Sequence, residues 1–445
     1  MFTAMSMLGT RAGVASYLGK SFGGDRDIYD ALGYKKLPLF SDFMAHYRRQ
    51  DIAKAAVDVP VRACWRKPPA LTESEEEETA FEKQWAEVAT KLRVWDYFSR
   101  VDRLASIGEY AVLLIGFDDG AQLWQPVKRA TEVLYVMPYS QANASIATYV
   151  SDVKDPRYSL PEKYSINMRT AQGSQSSRTL QVHWSRVIHV SEDNLDDDIL
   201  GLPRLEAVLN RLQDLDLVAG GSAEMFWRGA FPGFGLKLDD GATLGIQDEP
   251  KLEAEIEEYV HGLKRYMRLQ GLSIENIAQQ IGDPKNQADL YITLISAVTR
   301  IPKRILLGSE MGELASGQDE VNWYARVDER REGHCEPKIV RPFVDRLIEH
   351  GVLPAPKDGA YTCEWAPLLK QSEKEKADVA KTKSEAMSTY VGSGAETLVP
   401  RQFYLTDVMG YNRDQLDQIE EMIATQDEEA DGDVPTDIDD VNADS

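Results

Sequence analysis

The sequence predicts an α+β subunit in which a β-rich body lies between helical segments and two long amphipathic helices flank a small insert. Three observations carry that class. Apolar residues recur at helical spacing around 37–66, 81–101, 202–228 and 284–301, whereas 105–192 is built of short apolar runs rich in β-branched and aromatic residues. No repeat of fixed period occurs, which removes solenoids and propellers.

The elements follow in order. In LPLFSDFMAHYRRQDIAKAAVDVPVRACW, the spacing of Phe43, Tyr47, Ile52, Ala56 and Val59 predicts one amphipathic helix ending near Val59-Pro60. An acidic stretch, Glu73 to Glu78, leads into FEKQWAEVATKLRVWDYFSRV, a second helix with Phe81, Trp85, Val88, Leu92 and Trp95 on one face. GEYAVLLIGFDDG reads as a strand closed by an Asp118-Asp119-Gly120 turn, and VLYVMPYS, KYSINMR and TLQVHWSRVIHVS read as further strands. After the acidic NLDDDILGLP a strong helix begins. Pro203 stands at its first turn, Leu205, Val208, Leu209, Leu212, Leu215 and Val218 form its stripe, and it runs toward Trp227 through Gly220-Gly221.

The insert then offers FPGFGLKLDDGATLG as two short strands and a turn, EPKLEAEIEEYVHGLKRYMR as a charged helix, and LQGLSIENIAQQ. A further helix is capped by Asp283, carries Pro284 in its first turn and is striped by Ala288, Tyr291, Ile292, Ile295 and Val298, stopping near Pro302. RIPKRILLGSEMGELASGQ reads as a loop. A long polar helix resumes at about Asp319, and Pro337 and Pro342 are expected to break or kink it. YTCEWAPL is one more strand, SEKEKADVAKTKSEAMSTYV a surface helix, and LVPRQFYLTDVMGYN the start of a last helical pair. From Gln426 to Ser445 the chain is acidic, with no basic or aromatic residue, too polar to order itself.

Composition narrows the function. Hydrophobic residues are 43% of the 445 and charged residues 28%, enough for a core but with no apolar run near the roughly 20 residues that span a bilayer. The amino-terminal stretch lacks the order of a signal peptide, so a soluble protein made in a cytoplasm is expected. The cysteines Cys64, Cys335 and Cys363 are scattered without a C-x-x-C, which predicts free thiols in a reducing compartment. A net charge of −23 repels a polyanion, which argues against a sequence-specific DNA binder and suits a conduit that DNA slides through.

Catalytic patterns are missing. There is no G-x-x-x-x-G-K-[ST], no H-E-x-x-H and no G-x-S-x-G, and Gly233 and Gly235 lack the third glycine of a dinucleotide loop because residue 238 is leucine. His183-Trp184-Ser185 and His189-Val190-Ser191 imitate the paired H-x-[ST] motifs of a phosphodiesterase, but they fall on one expected strand rather than two. The run from Asp427 to Gly432 imitates an EF-hand start, yet its twelfth position is Ile438, so calcium is not expected there. Neither a metal nor any other cofactor is expected.

Four stretches carry a family resemblance: Tyr47-Arg48-Arg49-Gln50-Asp51-Ile52-Ala53, Gly201-Leu202-Pro203-Arg204-Leu205, Thr299-Arg300-Ile301-Pro302 through Leu306-Leu307-Gly308, and Glu364-Trp365-Ala366-Pro367-Leu368. In this order, over roughly 35–415, the chain resembles portal proteins of tailed bacteriophages, in particular the portal family sometimes described as anti-CBASS-like. The resemblance implies an amino-terminal arm at 1–36 and an α/β wing at 37–200 and 319–367. It further implies stem helices at 201–230 and 284–305, a clip at 231–283, a tunnel loop at 306–318 and a helical crown at 368–425. The acidic tail at 426–445 has no counterpart in the pattern. Leu205, Leu209, Leu212, Ile292 and Ile295 would pack the stem. Arg300, Lys303, Arg304, Glu310, Met311, Gly312, Glu313 and Leu314 would lie near the DNA channel.

The implied function is a non-enzymatic ring, typically of twelve subunits, at one capsid vertex of the virion. Its implied partners are its own copies, the large terminase, a head-completion or adaptor protein, the major capsid protein, and double-stranded DNA passing without specific contact; no membrane is implied. Two rivals remain at this level: another virion structural protein, and a phosphodiesterase-type enzyme directed against host defence.

Overall fold

The computed structural model describes residues 27–73, 79–169, 177–230, 234–238, 272–276, 283–308, 316–357, 359–368, 373–410, 416 and 422. The acidic tail, the charged helix expected at 249–268, and the loop residues Glu310, Met311, Gly312, Glu313 and Leu314 lie outside the described residues. The chain divides into two compact units, Met1–Leu368 and Leu369–Ser445.

In the first unit the sheets are antiparallel and small. Strand β2 (Ala111–Phe117) lies between β3 (Val133–Ser140) and β7 (Val187–Val190), while β5 (Pro161–Arg169) lies between β4 (Ala144–Tyr149) and β6 (Ser177–His183). Every residue of β2 is buried, because its alternating side chains enter two different cores. Ala111, Leu113 and Ile115 join the main core of helices, and Val112 and Leu114 join a second core with Ala144, Tyr164, Ile166 and Val182. The apolar run 111–117 is thus a strand covered on both faces. Two short ladders complete the strands: β1 (Ala70–Thr72) with β10 (Thr362–Glu364), and β8 (Phe234–Leu238) with β9 (Leu272–Asn276).

The helices correct several expectations. The segment 37–66 forms two helices, Phe40–Arg49 and Asp51–Cys64, because Gln50 is extended and its side chain caps the second by accepting from Ala53 N. Pro60 sits inside the second helix instead of ending it. The next pattern also splits, into Ala80–Leu92 and Val94–Ile107, where Arg93 turns left-handed at φ 53°. Thr79 and Glu82 form the capping box that starts the former. TLQVHWSRVIHV, expected as one strand, is β6 and β7 in two different sheets, joined by a 3-10 turn at Trp184–Arg186. KRILL, expected as loop, is the short helix Lys303–Leu307, with Leu306 buried and Gly308 closing it at φ 64°.

Pro337 and Pro342, expected to break or kink the long helix, leave it continuous but change its winding around Pro337. Ser316–Arg330 continues as a π-helical segment, Arg331–Val340, and then as Arg341–Glu349. The i→i+5 winding runs through Pro337, and Pro342 stands at the junction where it returns to α-helix in Arg341–Glu349.

In the second unit, Glu373–Gly392 is a helix, and Tyr390 stacks on Tyr404 with ring centroids 3.8 Å apart. The Tyr390 hydroxyl donates to Val399 O and that of Tyr404 to Ala386 O at 3.0 Å, which holds the short Arg401–Phe403 helix and the π turn Tyr404–Val408 beside it. Among the described residues, no helix is long and apolar enough to cross a membrane.

Candidate functional site

Two helices of the first unit pack together, Leu209–Ala230 and Lys285–Thr299. The former begins later than expected, after a turn at Pro203 and a 3-10 turn at Glu206–Val208, and runs unbroken through Gly220-Gly221. Its stripe is buried as expected: Leu205, Leu209 and Leu212 lie in the main core. Ile295 is fully buried on the facing helix, and Ile292 is half-buried against the same core. Val298, expected on that stripe, is exposed instead. Asp283 Oδ1 accepts from Lys285 N at 2.9 Å and so caps this helix, with Pro284 at the N-cap position. Residues 27–34 dock on the first helix. Gln213 Nε2 donates to Gly33 O at 3.1 Å, Asn210 Nδ2 to Tyr29 Oη at 3.3 Å, and the Tyr34 hydroxyl to Asp214.

The basic turn that follows is built by the backbone. Arg300 ends Lys285–Thr299 in the left-handed conformation at φ 57°, so its cation sits at the negative end of that helix. Ile301 is buried, and its carbonyl accepts from Ser296 Oγ at 2.6 Å. Lys303 and Arg304 do not share that placement. Lys303 opens the Lys303–Leu307 helix, where a cation opposes the dipole, and is paired with Asp289; Arg304, in the last turn of that short helix, is exposed. Arg300 is exposed too, and its carbonyl accepts from Arg326 Nη1 at 3.4 Å.

Behind this turn is a buried ion cluster that the sequence does not reveal. Arg330, at the end of Ser316–Arg330, donates through Nη2 to Asp102 Oδ1 at 2.5 Å and through Nη1 to Asp102 Oδ2 at 2.9 Å. Its Nε donates to Glu192 Oε1 at 2.7 Å, and Arg204 Nη2 donates to the same oxygen at 2.5 Å. Asp102, fully buried, also accepts from Trp65 Nε1 at 2.8 Å, and His334 Nε2 lies 3.2 Å from its Oδ1. Ser106 Oγ donates to Glu192 Oε2 at 2.9 Å. Burial alone would raise both carboxyls, yet Arg330 with His334 holds Asp102, and Arg204 with Arg330 holds Glu192, well below the usual carboxylate range. Asp102, Glu192 and His334 have the donors for a metal ion. The Arg330 guanidinium already lies among them as the counter-charge, so the geometry favours an ion-pair hub.

Gly201 explains part of the Gly-Leu-Pro-Arg-Leu stretch. A Cβ there would collide with the Glu192 carbonyl, while Leu202 N donates to that carbonyl at 3.0 Å. The glycine therefore lets the chain approach closely enough to seat Glu192, and Arg204 of the same stretch neutralises it. The cluster forms one wall of an open cleft of ≈ 1250 Å³, which Arg300, Arg326, Trp323 and Lys338 also line.

The two histidines of the phosphodiesterase-like pattern are held apart in role. His183 Nδ1 contacts Ser185 Oγ at 2.9 Å as part of the 3-10 turn. His189 stacks on Tyr110 with centroids 4.9 Å apart, donates from Nε2 to Ile199 O at 2.7 Å, and accepts at Nδ1 from the Tyr164 hydroxyl at 3.2 Å. Burial pushes its pKa down. Both of its ring nitrogens are thus engaged in hydrogen bonds within the fold.

Comparison with known proteins agrees with this architecture. The phage portal protein family matches residues 41–389. Among solved structures, the chain is similar to one in the neck of a native gene transfer agent particle computed with C12 symmetry. That match has a TM-score of 0.50 and 11% identity over 77% of this chain and 88% of that one. A second similarity is to an HK97 family phage portal protein from Corynebacterium diphtheriae, with a TM-score of 0.38 and 10% identity over 74% of this chain and 98% of that one. No curated protein matches. Because the family match spans most of its length, the chain belongs to the phage portal protein family.

Proposed function

We propose that the chain assembles into a closed ring at one capsid vertex, where it serves as the head–tail connector through which the genome enters and leaves. Leu209–Ala230 and Lys285–Thr299 are the stem, 231–283 the clip, 306–318 the tunnel loop, and 368–425 the crown. The observation that carries the reading is the apolar surface left on the helix pair: Leu217, Phe226, Leu290 and Val298 are each at least half exposed in the isolated subunit. Surface of that kind is covered in an assembly, and a head-to-tail contact repeated by rotation closes a ring around an axial hole. The C12 symmetry of the neck to which this chain is similar favours twelve subunits.

The net charge of −23 keeps the duplex moving, since phosphate meets repulsion over most of the surface. Arg300 and Arg304, the exposed cations of the basic turn, supply weak local contact. The clip receives the large terminase and later the head-completion protein, the outer body meets the major capsid protein, and the subunit carries no catalytic step. Negative-stain microscopy and light scattering of the purified chain test the reading. Rings with an axial hole are expected; a monomer at micromolar concentration, with and without salt, overturns it.

A further inference from the structure

Cys64 and Cys335 are distant in sequence yet meet at one point of the core. Both are free and fully buried. Each Sγ accepts from the same atom, Arg330 Nη1, at 3.4 Å, and Cys64 Sγ donates to Val327 O at 3.9 Å. Their elements are fixed close together. Cys64 ends the Asp51–Cys64 helix and its carbonyl accepts from Arg331 Nε at 3.0 Å, one turn before Cys335 in the π-helical segment. Among the charged groups facing the pair, the Arg330 guanidinium favours a thiolate and the Asp102 carboxylate opposes it.

The two sulfurs are also unequal. The neighbouring Cys335 thiol, with the Arg330 guanidinium, holds Cys64 below the ordinary thiol range, while burial pushes Cys335 well above it. Cys64 is thus the nucleophile and Cys335 keeps its proton until a partner leaves. The buried sulfurs do not line the cleft themselves, but Val327 and Arg330, which touch Cys64 Sγ, form part of its wall, so a small reagent reaches the pair when that wall opens.

We propose that Cys64 and Cys335 form an oxidisable dithiol, a modification site that takes small disulfides and cross-links the Asp51–Cys64 helix to the π-helical segment. In the first step the Cys64 thiolate attacks one sulfur of the small disulfide, whose S–S bond breaks and releases one thiolate. That thiolate takes the Cys335 proton. Cys335 then attacks Cys64 Sγ, forms the protein disulfide and expels the second reagent thiolate, which is protonated by solvent. Two protein thiols are oxidised and one small disulfide is reduced to two thiols.

The experiment incubates the full native chain with 2-hydroxyethyl disulfide, then denatures it, alkylates the remaining thiols and maps peptides by mass spectrometry. Alkylatable thiols are expected to fall from three to one, with Cys363 the survivor and a Cys64–Cys335 peptide pair recovered. Cys363→Ser is expected to lose both remaining thiols under the same treatment, whereas Cys64→Ser and Cys335→Ser form no intrachain disulfide. Three alkylated thiols after prolonged native treatment, a stable mixed disulfide without closure, or a link through Cys363 or between subunits would each overturn the proposal. The wild-type peptide map decides the matter even if a variant fails to fold.

Discussion

Replacing Arg330 by Leu removes the guanidinium that bridges Asp102 and Glu192, and its cost follows from their burial. Asp102 is completely buried and the Glu192 side chain is 11% exposed, so neither carboxylate recovers its lost partner from water. Breaking a buried ion pair from one side costs about 3–5 kcal/mol. We therefore expect Arg330→Leu to lower the unfolding free energy by about that amount at pH 7, measured by denaturant unfolding. Trp65, whose indole donates to Asp102, is one of the fluorescence reporters.

The pH dependence separates this account from simple loss of packing. In the native chain both carboxyls are depressed from ordinary values of 3.8 and 4.5, so their contribution is full above that range and is lost as pH falls through the folded values. In the variant Glu192 keeps Arg204, but Asp102 loses its guanidinium and burial raises it. The folded state then binds protons more readily than the unfolded one, and stability rises as pH falls from 7 toward 5. The gap between variant and native chain should shrink on acidification. A penalty below about 1 kcal/mol at pH 7, or one that grows on acidification, would refute the ion-pair account.

Further outcomes follow from the same structure. Gly201→Ala is expected to lower stability by about 2 kcal/mol by driving the chain away from Glu192, read as a drop in the denaturation midpoint. Ile295→Asp should cost about 3–5 kcal/mol and lose the folded subunit, seen by circular dichroism before any ring is scored. Leu217→Glu with Phe226→Glu, both on exposed surface, should leave the subunit folded but abolish rings in negative stain; normal rings would remove these residues from the interface. Deleting 310–315 should spare rings and reduce packaged DNA per particle, and full heads in normal yield would remove that segment from the channel.

The class of the subunit and the faces of its principal elements were legible in the residue pattern. Apolar periodicity located both long helices and buried Leu205, Leu209, Leu212 and Ile295, because a stripe of that spacing has to be covered wherever the helix lies. The apolar run 111–117 was legible as a strand for the same reason, though not that its two faces serve two cores. Element ends were less legible. Gln50, Arg93 and Pro337 carry no sequence mark that separates a break from a continuation, since the outcome depends on whether neighbouring helices accept a new direction or a π turn.

The ion cluster was decided by tertiary structure alone. Asp102, Glu192, Arg204, Arg330 and His334 read in sequence as ordinary polar positions, because a charge inside an amphipathic pattern says nothing of its partner. Only the packing of Val94–Ile107 and the π-helical segment against β7 removes water from them. That desolvation turns five scattered ionisable residues into a single hub, and no local property of the chain encodes it.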